Sequence, residues 1–184
     1  MTDVALSRPR LAVTASAAGC ALLVARPLLL PATSHPVALL VGLFVLLLVV
    51  GRGWPARAIA APARAGVVAV TAVGLAAFVV GRLAGGHAPA PVTPRIVVLT
   101  VLAAVAEEAF FRRLVYGVLE PGGPVLAVGG SALLFAVVHV TVYGAWVLPI
   151  DLAAGLVLSW QRWATGSWSV PALTHVLANL LVVI

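Results

Sequence analysis

Two adjacent carboxylates, Glu107 and Glu108, stand inside an apolar run from Ile96 to Leu119 that is long enough to cross a bilayer. A hydrocarbon core about 30 Å thick is spanned by about twenty apolar residues in a helix, and an ionised side chain at its centre costs roughly 2.5 to 3.5 kcal/mol. A chain that keeps two acids and Arg112 at such a depth must turn them toward one another, or toward water, and away from lipid. That requirement selects an all-α fold, a polytopic transmembrane helix bundle. The composition agrees, since 63% of the 184 residues are hydrophobic and 9% charged, well below the quarter usual for soluble domains.

Candidate spans run from Leu11 to Leu30, Pro36 to Val50, Ala65 to Val80, Ile96 to Leu119, Pro124 to Val142, Ala145 to Trp163 and Trp168 to Ile184. This gives about seven helices in a single integral membrane domain over residues 1–184. Helix stops are expected at Pro31–Pro36, at Gly51–Arg64, in the loop from Gly85 to Pro91, and at Glu120–Pro124, where proline and glycine cluster. No internal repeat is evident.

The net charge of +6 comes from arginine alone, because the chain has no lysine. Most arginines lie between the apolar runs and form no stripe, so they mark topology and anionic lipid contact, and nucleic-acid binding is not expected. Alternation places the N-terminal arginines, Arg52, Arg57, Arg64, Arg112, Arg113 and Arg162 on one side, expected to be cytoplasmic together with the N-terminus. Arg82 and Arg95 would flank an outer loop and count against that arrangement. Tyr143 and Trp146, with Trp160, Trp163 and Trp168 at the other end of the same span, are expected to form interfacial belts. The single Cys20 can form no internal disulfide. Its setting, Ala17-Ala18-Gly19-Cys20, has some likeness to a lipoprotein signal, but Ala17 replaces the usual large aliphatic residue and the apolar run continues. A retained first helix is expected.

In the second half of the chain, polar residues within the spans pair at a spacing of four: Glu108 with Arg112, Phe135 with His139, His175 with Asn179. Four residues return a helix to the same face. Glu108 before Arg112 is the favourable order for an intrahelical ion pair, which leaves Glu107, rotated by about 100°, free to face elsewhere. With about 1.5 Å of rise per residue, Glu107, His139, His175 and Asn179 lie about 18, 22, 10 and 16 Å from the cytoplasmic ends of their spans. A common depth on three helices permits one cavity in the inner half or middle of the bilayer, facing the cytoplasm, although sequence does not show that these helices are neighbours. Such a set suits peptide hydrolysis: a carboxylate and an imidazole deprotonate water, and His and Asn donors meet the oxyanion. Asp151 lies outside these pairs and is expected to pack helices or line an outer mouth. His35 and His87 are expected to be loop residues.

Glu107-Glu108-x-x-x-Arg112, Phe135-x-x-x-His139 and His175-x-x-x-Asn179 together resemble the three motifs of the CAAX protease and bacteriocin-processing (CPBP, or Abi) family of intramembrane endopeptidases. The likeness extends from Gly155 through Ala164-Thr165-Gly166-Ser167-Trp168 and Pro171-Ala172-Leu173-Thr174, and covers residues 96–184 as a catalytic core. One departure is Arg113, where many relatives have glycine. The resemblance implies that Glu107 with His139 activates water, that His175 and Asn179 form the oxyanion hole, and that Glu108 and Arg112 brace the helix. It implies no required cofactor. Zinc on Glu107, His139 and His175 is the alternative, disfavoured because no His-Glu-x-x-His run occurs. The implied partner is a membrane-associated or lipidated protein substrate. The Ala-, Arg- and Gly-rich composition without lysine points to a GC-rich bacterial genome and a plasma membrane, so prenylated tails are not the expected target. The rival readings are an ion- or proton-coupled transporter, which the lack of paired repeats disfavours, and a non-catalytic scaffold or immunity factor, which the full set of matched side chains disfavours.

Overall fold

The computed structural model describes residues 3–54, 64–85 and 92–183, and every element among them is helical. The long helices are α1 (Asp3–Leu29), α2 (Pro36–Gly53), α3 (Arg64–Gly85), α4 (Pro94–Glu108), α6 (Pro124–Tyr143), α7 (Leu148–Thr165) and α8 (Ser169–Val183). Between α4 and α6 the chain continues through a π-helical stretch, Ala109–Val115, and a single turn, α5 (Tyr116–Leu119). The expected His87 loop lies outside the described residues.

Local chemistry sets the boundaries. Pro36, Pro94 and Pro124 each open a helix, where the missing N–H is no loss. Thr93 caps α4 by accepting the Ile96 N–H at 3.3 Å. Gly166 ends α7 in a left-handed conformation, φ 66°, and returns its N–H to the Arg162 carbonyl. Cys20 sits half-buried within an unbroken α1.

Among the described residues, four stretches are long and apolar enough to cross a membrane: Pro9–Leu29, Pro36–Gly53, Gly66–Leu83 and Pro124–Tyr143. The other three expected spans take a different form. α4 gives way to the π-helical stretch, α7 carries Asp151, Gln161 and Arg162, and the apolar part of α8 covers only Ser169–Leu181. These helices surround the polar interior, so their side chains answer to one another more than to lipid.

In lipid no hydrophobic force drives helix against helix, and close approach depends on small residues and on polar contacts. A Cβ on Gly51 would meet the backbone of Ala109 and Phe110, which brings α2 onto the π-helical stretch. A Cβ on Gly155 of α7 would meet the Cα and carbonyl oxygen of Ala132 on α6, both at 3.0 Å. Gly155→Ala is therefore expected to lower stability by about 1–3 kcal/mol through overpacking. Unfolding midpoints in detergent would check this against Gly129→Ala, where the new methyl meets open space. Around the π-helical stretch, Phe110, Phe111 and Phe135 stack edge to face at 5.0 and 5.5 Å.

Candidate active site

The two acids of α4 part as the spacing predicts. Glu108 is fully buried and its Oε1 accepts from Arg112 Nη1 at 3.1 Å. Glu107 turns into a cavity of about 1060 Å³, where His139, His175, Asn179 and Asp151 also form part of the wall. Three helices, α4, α6 and α8, thus bring the four expected residues to one space. This is the shape of a membrane-sunk ligand site: largely apolar walls with a few convergent polar groups.

Each imidazole is fixed by its second nitrogen. His139 Nδ1 lies 2.7 Å from the Phe135 carbonyl oxygen one turn back. A carbonyl only accepts, so Nδ1 carries the hydrogen and the neutral ring presents its Nε2 lone pair toward Glu107 Oε2, 3.9 Å away. That distance exceeds a direct hydrogen bond. His175 Nδ1 stands 2.8 Å from Glu108 Oε1. Glu108 beside Arg112 is an acceptor, so His175 Nδ1 is also a donor. One carboxylate oxygen therefore serves both Arg112 and His175. Sequence spacing predicts the first contact and not the second, because Glu108 and His175 are 67 residues apart.

Arg112 is buried without exposed surface and is held from several sides. Its Nη2 donates to the Gly155 carbonyl at 3.2 Å, and its guanidinium carbon lies 4.4 Å from the Phe135 ring centroid. The Phe of the Phe135-x-x-x-His139 pair thus supports the arginine with its ring and the histidine with its carbonyl.

Several polar residues were not singled out by sequence reasoning. Ser131 donates to the Phe111 carbonyl at 2.9 Å, and Arg162 Nε donates to the Arg112 carbonyl at 3.0 Å, so both brace the π-helical stretch. Gln161 joins three helices through the Val70 carbonyl on α3 and Thr174 Oγ1 on α8. Arg162, expected on the cytoplasmic side at the end of its span, is buried and lies 5.0 Å from the Tyr116 ring centroid. A polar side chain in a greasy helix is the signal that could have found Ser131 and Gln161. Asp151 lines the cavity, and its Oδ2 is buried without a hydrogen-bond partner among the described residues.

The cavity lies at one end of the bundle. Arg26 near the end of α1, Arg82 near the end of α3, Tyr143 at the end of α6 and Asp151 in the first turn of α7 all line it. At the opposite end, Arg113 Nε donates to the Trp54 carbonyl at 2.9 Å and Arg52 lies 6.0 Å from the Trp168 ring centroid. Depth counting places the four residues between the middle of the bilayer and this second, arginine-rich end. His139, counted at about 22 Å from that end, sits one turn from Tyr143.

Fold and cavity define a helical membrane protein with an acid, two histidines and an amide gathered within it. A family model described as Rce1-like, type II CAAX prenyl endopeptidase, matches residues 89–181, just over half of the chain. The chain belongs to this family of CAAX intramembrane proteases, hydrolases that act on peptide bonds. No curated protein and no solved structure matches it. Glu107, His139, His175 and Asn179 all lie within the matched stretch, whereas Arg26, Phe44, Phe78 and Arg82 of the cavity wall lie before it.

Proposed function

We propose that this protein hydrolyses a peptide bond of a membrane-associated or lipidated protein with water activated by Glu107 and His139. The observation that carries this reading is the opposition of Glu107 Oε2 and His139 Nε2 at 3.9 Å on the cavity wall. Two acceptors at that separation suit one water donating to both. In the reaction the water gives a proton to this pair while its oxygen adds to the scissile carbonyl. The oxyanion is met by His175 Nε2–H and the Asn179 side-chain amide, whose oxyanion-hole role would be worth about 10²–10³-fold per donor. Because Nδ1 of His175 already donates to Glu108, Nε2 donates only when the ring is an imidazolium. Glu108 stabilises that charge. Collapse of the tetrahedral species breaks the C–N bond, and the proton held by the Glu107–His139 pair passes to the leaving amine. The products are one new carboxyl and one new amino terminus.

The proposed hydrolysis needs no metal, because Glu107 and His139 take the proton and His175 and Asn179 meet the oxyanion. Turnover of a membrane-tethered peptide by the purified protein, followed by mass spectrometry of the new termini, tests the activity. Phenanthroline is expected to leave that turnover unchanged, and a loss restored by added zinc would reverse the metal-free assignment.

A further inference from the structure

We infer that Asp151 is a specificity-determining residue, whose carboxylate pairs with a basic side chain, lysine or arginine, carried by the bound peptide close to the bond being cut. The inference rests on the catalytic reading of the cavity proposed above. Asp151 takes no part in the proposed hydrolysis, yet it stands in the wall of the same cavity. It is also within electrostatic reach of His139, Glu107 and His175, so a cation seated against it lies beside the groups that break the bond.

The charges around the cavity leave Asp151 as the one acid of α4 and α7 that is not engaged. Glu107 opposes His139, and Glu108 holds both Arg112 and His175, whereas Asp151 has no ion-pair partner among the described residues. The two arginines of the cavity wall are turned to other groups. Arg82 Nε donates to the Leu181 carbonyl at 3.2 Å, and the Arg26 guanidinium carbon lies 5.9 Å from the Phe44 ring centroid. A place in the first turn of α7 favours an acid through the helix dipole. The dipole supplies no hydrogen bond to Asp151 Oδ2, which is buried and has no partner among the described residues.

A carboxylate with one oxygen shut away from both water and donors has lost part of its solvation. The residue as a whole is only half-buried, so the rest of the group can be reached from the cavity. What restores the balance is a partner brought in from outside. Hydrogen bonds to charged groups contribute about 1.5–3 kcal/mol against about 0.5–1.5 for neutral ones, and a cation compensates the charge shared by both oxygens. A basic side chain therefore gains more at Asp151 than a neutral amide or hydroxyl does. An acidic residue at the same place meets Asp151 and Glu107 together and is rejected.

A set of membrane-tethered peptides with lysine, norleucine or glutamate at successive positions on either side of the scissile bond tests this. At one position close to the bond, the lysine peptide is expected to exceed the norleucine peptide about 10–100-fold in kcat/KM, the worth of a hydrogen bond to a charged group. Asp151→Asn should bring that ratio near one, and Asp151→Lys should turn it in favour of glutamate. No position preferring lysine, or a lysine preference that survives Asp151→Asn, overturns the inference. So does a lower unfolding midpoint in Asp151→Asn with the ratio unchanged, the mark of a residue that only packs helices. Binding of the same peptides to the Glu107→Gln protein, followed by fluorescence anisotropy, reads selection without hydrolysis. Lysine-selective binding that is lost when Asp151→Asn is added supports the inference even where the wild-type protein cuts no peptide, a result that strikes the proposed hydrolysis alone. Cleavage without any preference for lysine strikes the inference and leaves the hydrolysis standing.

Discussion

Glu107→Gln is expected to lower peptide cleavage by about 10²–10⁴-fold, the usual contribution of a general base, with the unfolding midpoint unchanged. The amide keeps the size of the side chain and can still hydrogen-bond to a water, but it cannot take the proton. Because the His139 Nε2 lone pair faces the same point, the two groups act as one unit. His139→Ala, Glu107→Ala and the double variant should therefore lose nearly equal activity, as residues of a single catalytic unit do. Initial rates on a tethered peptide would check this. Retained activity in Glu107→Gln, or losses that multiply in the double variant, would remove Glu107 from its assigned role.

The second large effect falls on stability. Arg112→Ala is expected to cost about 3–5 kcal/mol, because deleting one member of a buried pair leaves the other charge uncompensated. Glu108 has no exposed surface, and its Oε2 is without a hydrogen-bond partner among the described residues, so its carboxylate would have only His175 to face. Unfolding in detergent should show a far larger shift than for Glu107→Gln, and equal midpoints would refute the assignment. Replacing both charges, Glu108→Leu with Arg112→Met, should recover much of the stability. It should not recover activity, since His175 Nδ1 then loses its acceptor. That split separates a brace that merely holds the helix from one that also positions His175.

What the sequence could convey divides along the range of the interactions involved. Contacts one helical turn apart were legible: Glu108 with Arg112, and the shared faces of Phe135 with His139 and His175 with Asn179, follow from helical periodicity alone. The convergence of Glu107, His139, His175 and Asn179 could only be expected from resemblance, since periodicity does not say which helices are neighbours. Contacts across long separations were hidden, including the hold of Glu108 on His175 and of Arg162 on the Arg112 carbonyl. The π-helical stretch was also hidden, because Ala109–Val115 contains no glycine or proline to announce it. Such widened turns are frequent at functional sites. Here the widening falls directly after the two acids.

The wall contributed by Arg26, Phe44, Phe78 and Arg82 comes from α1, α2 and α3, outside the stretch that carries the acid, the imidazoles and the amide. On the proposed reading, the surface that meets a substrate and the groups that break its bond come from different parts of one polypeptide. Substitutions in the first three helices would then reshape what fits the chamber while leaving the hydrolytic apparatus intact.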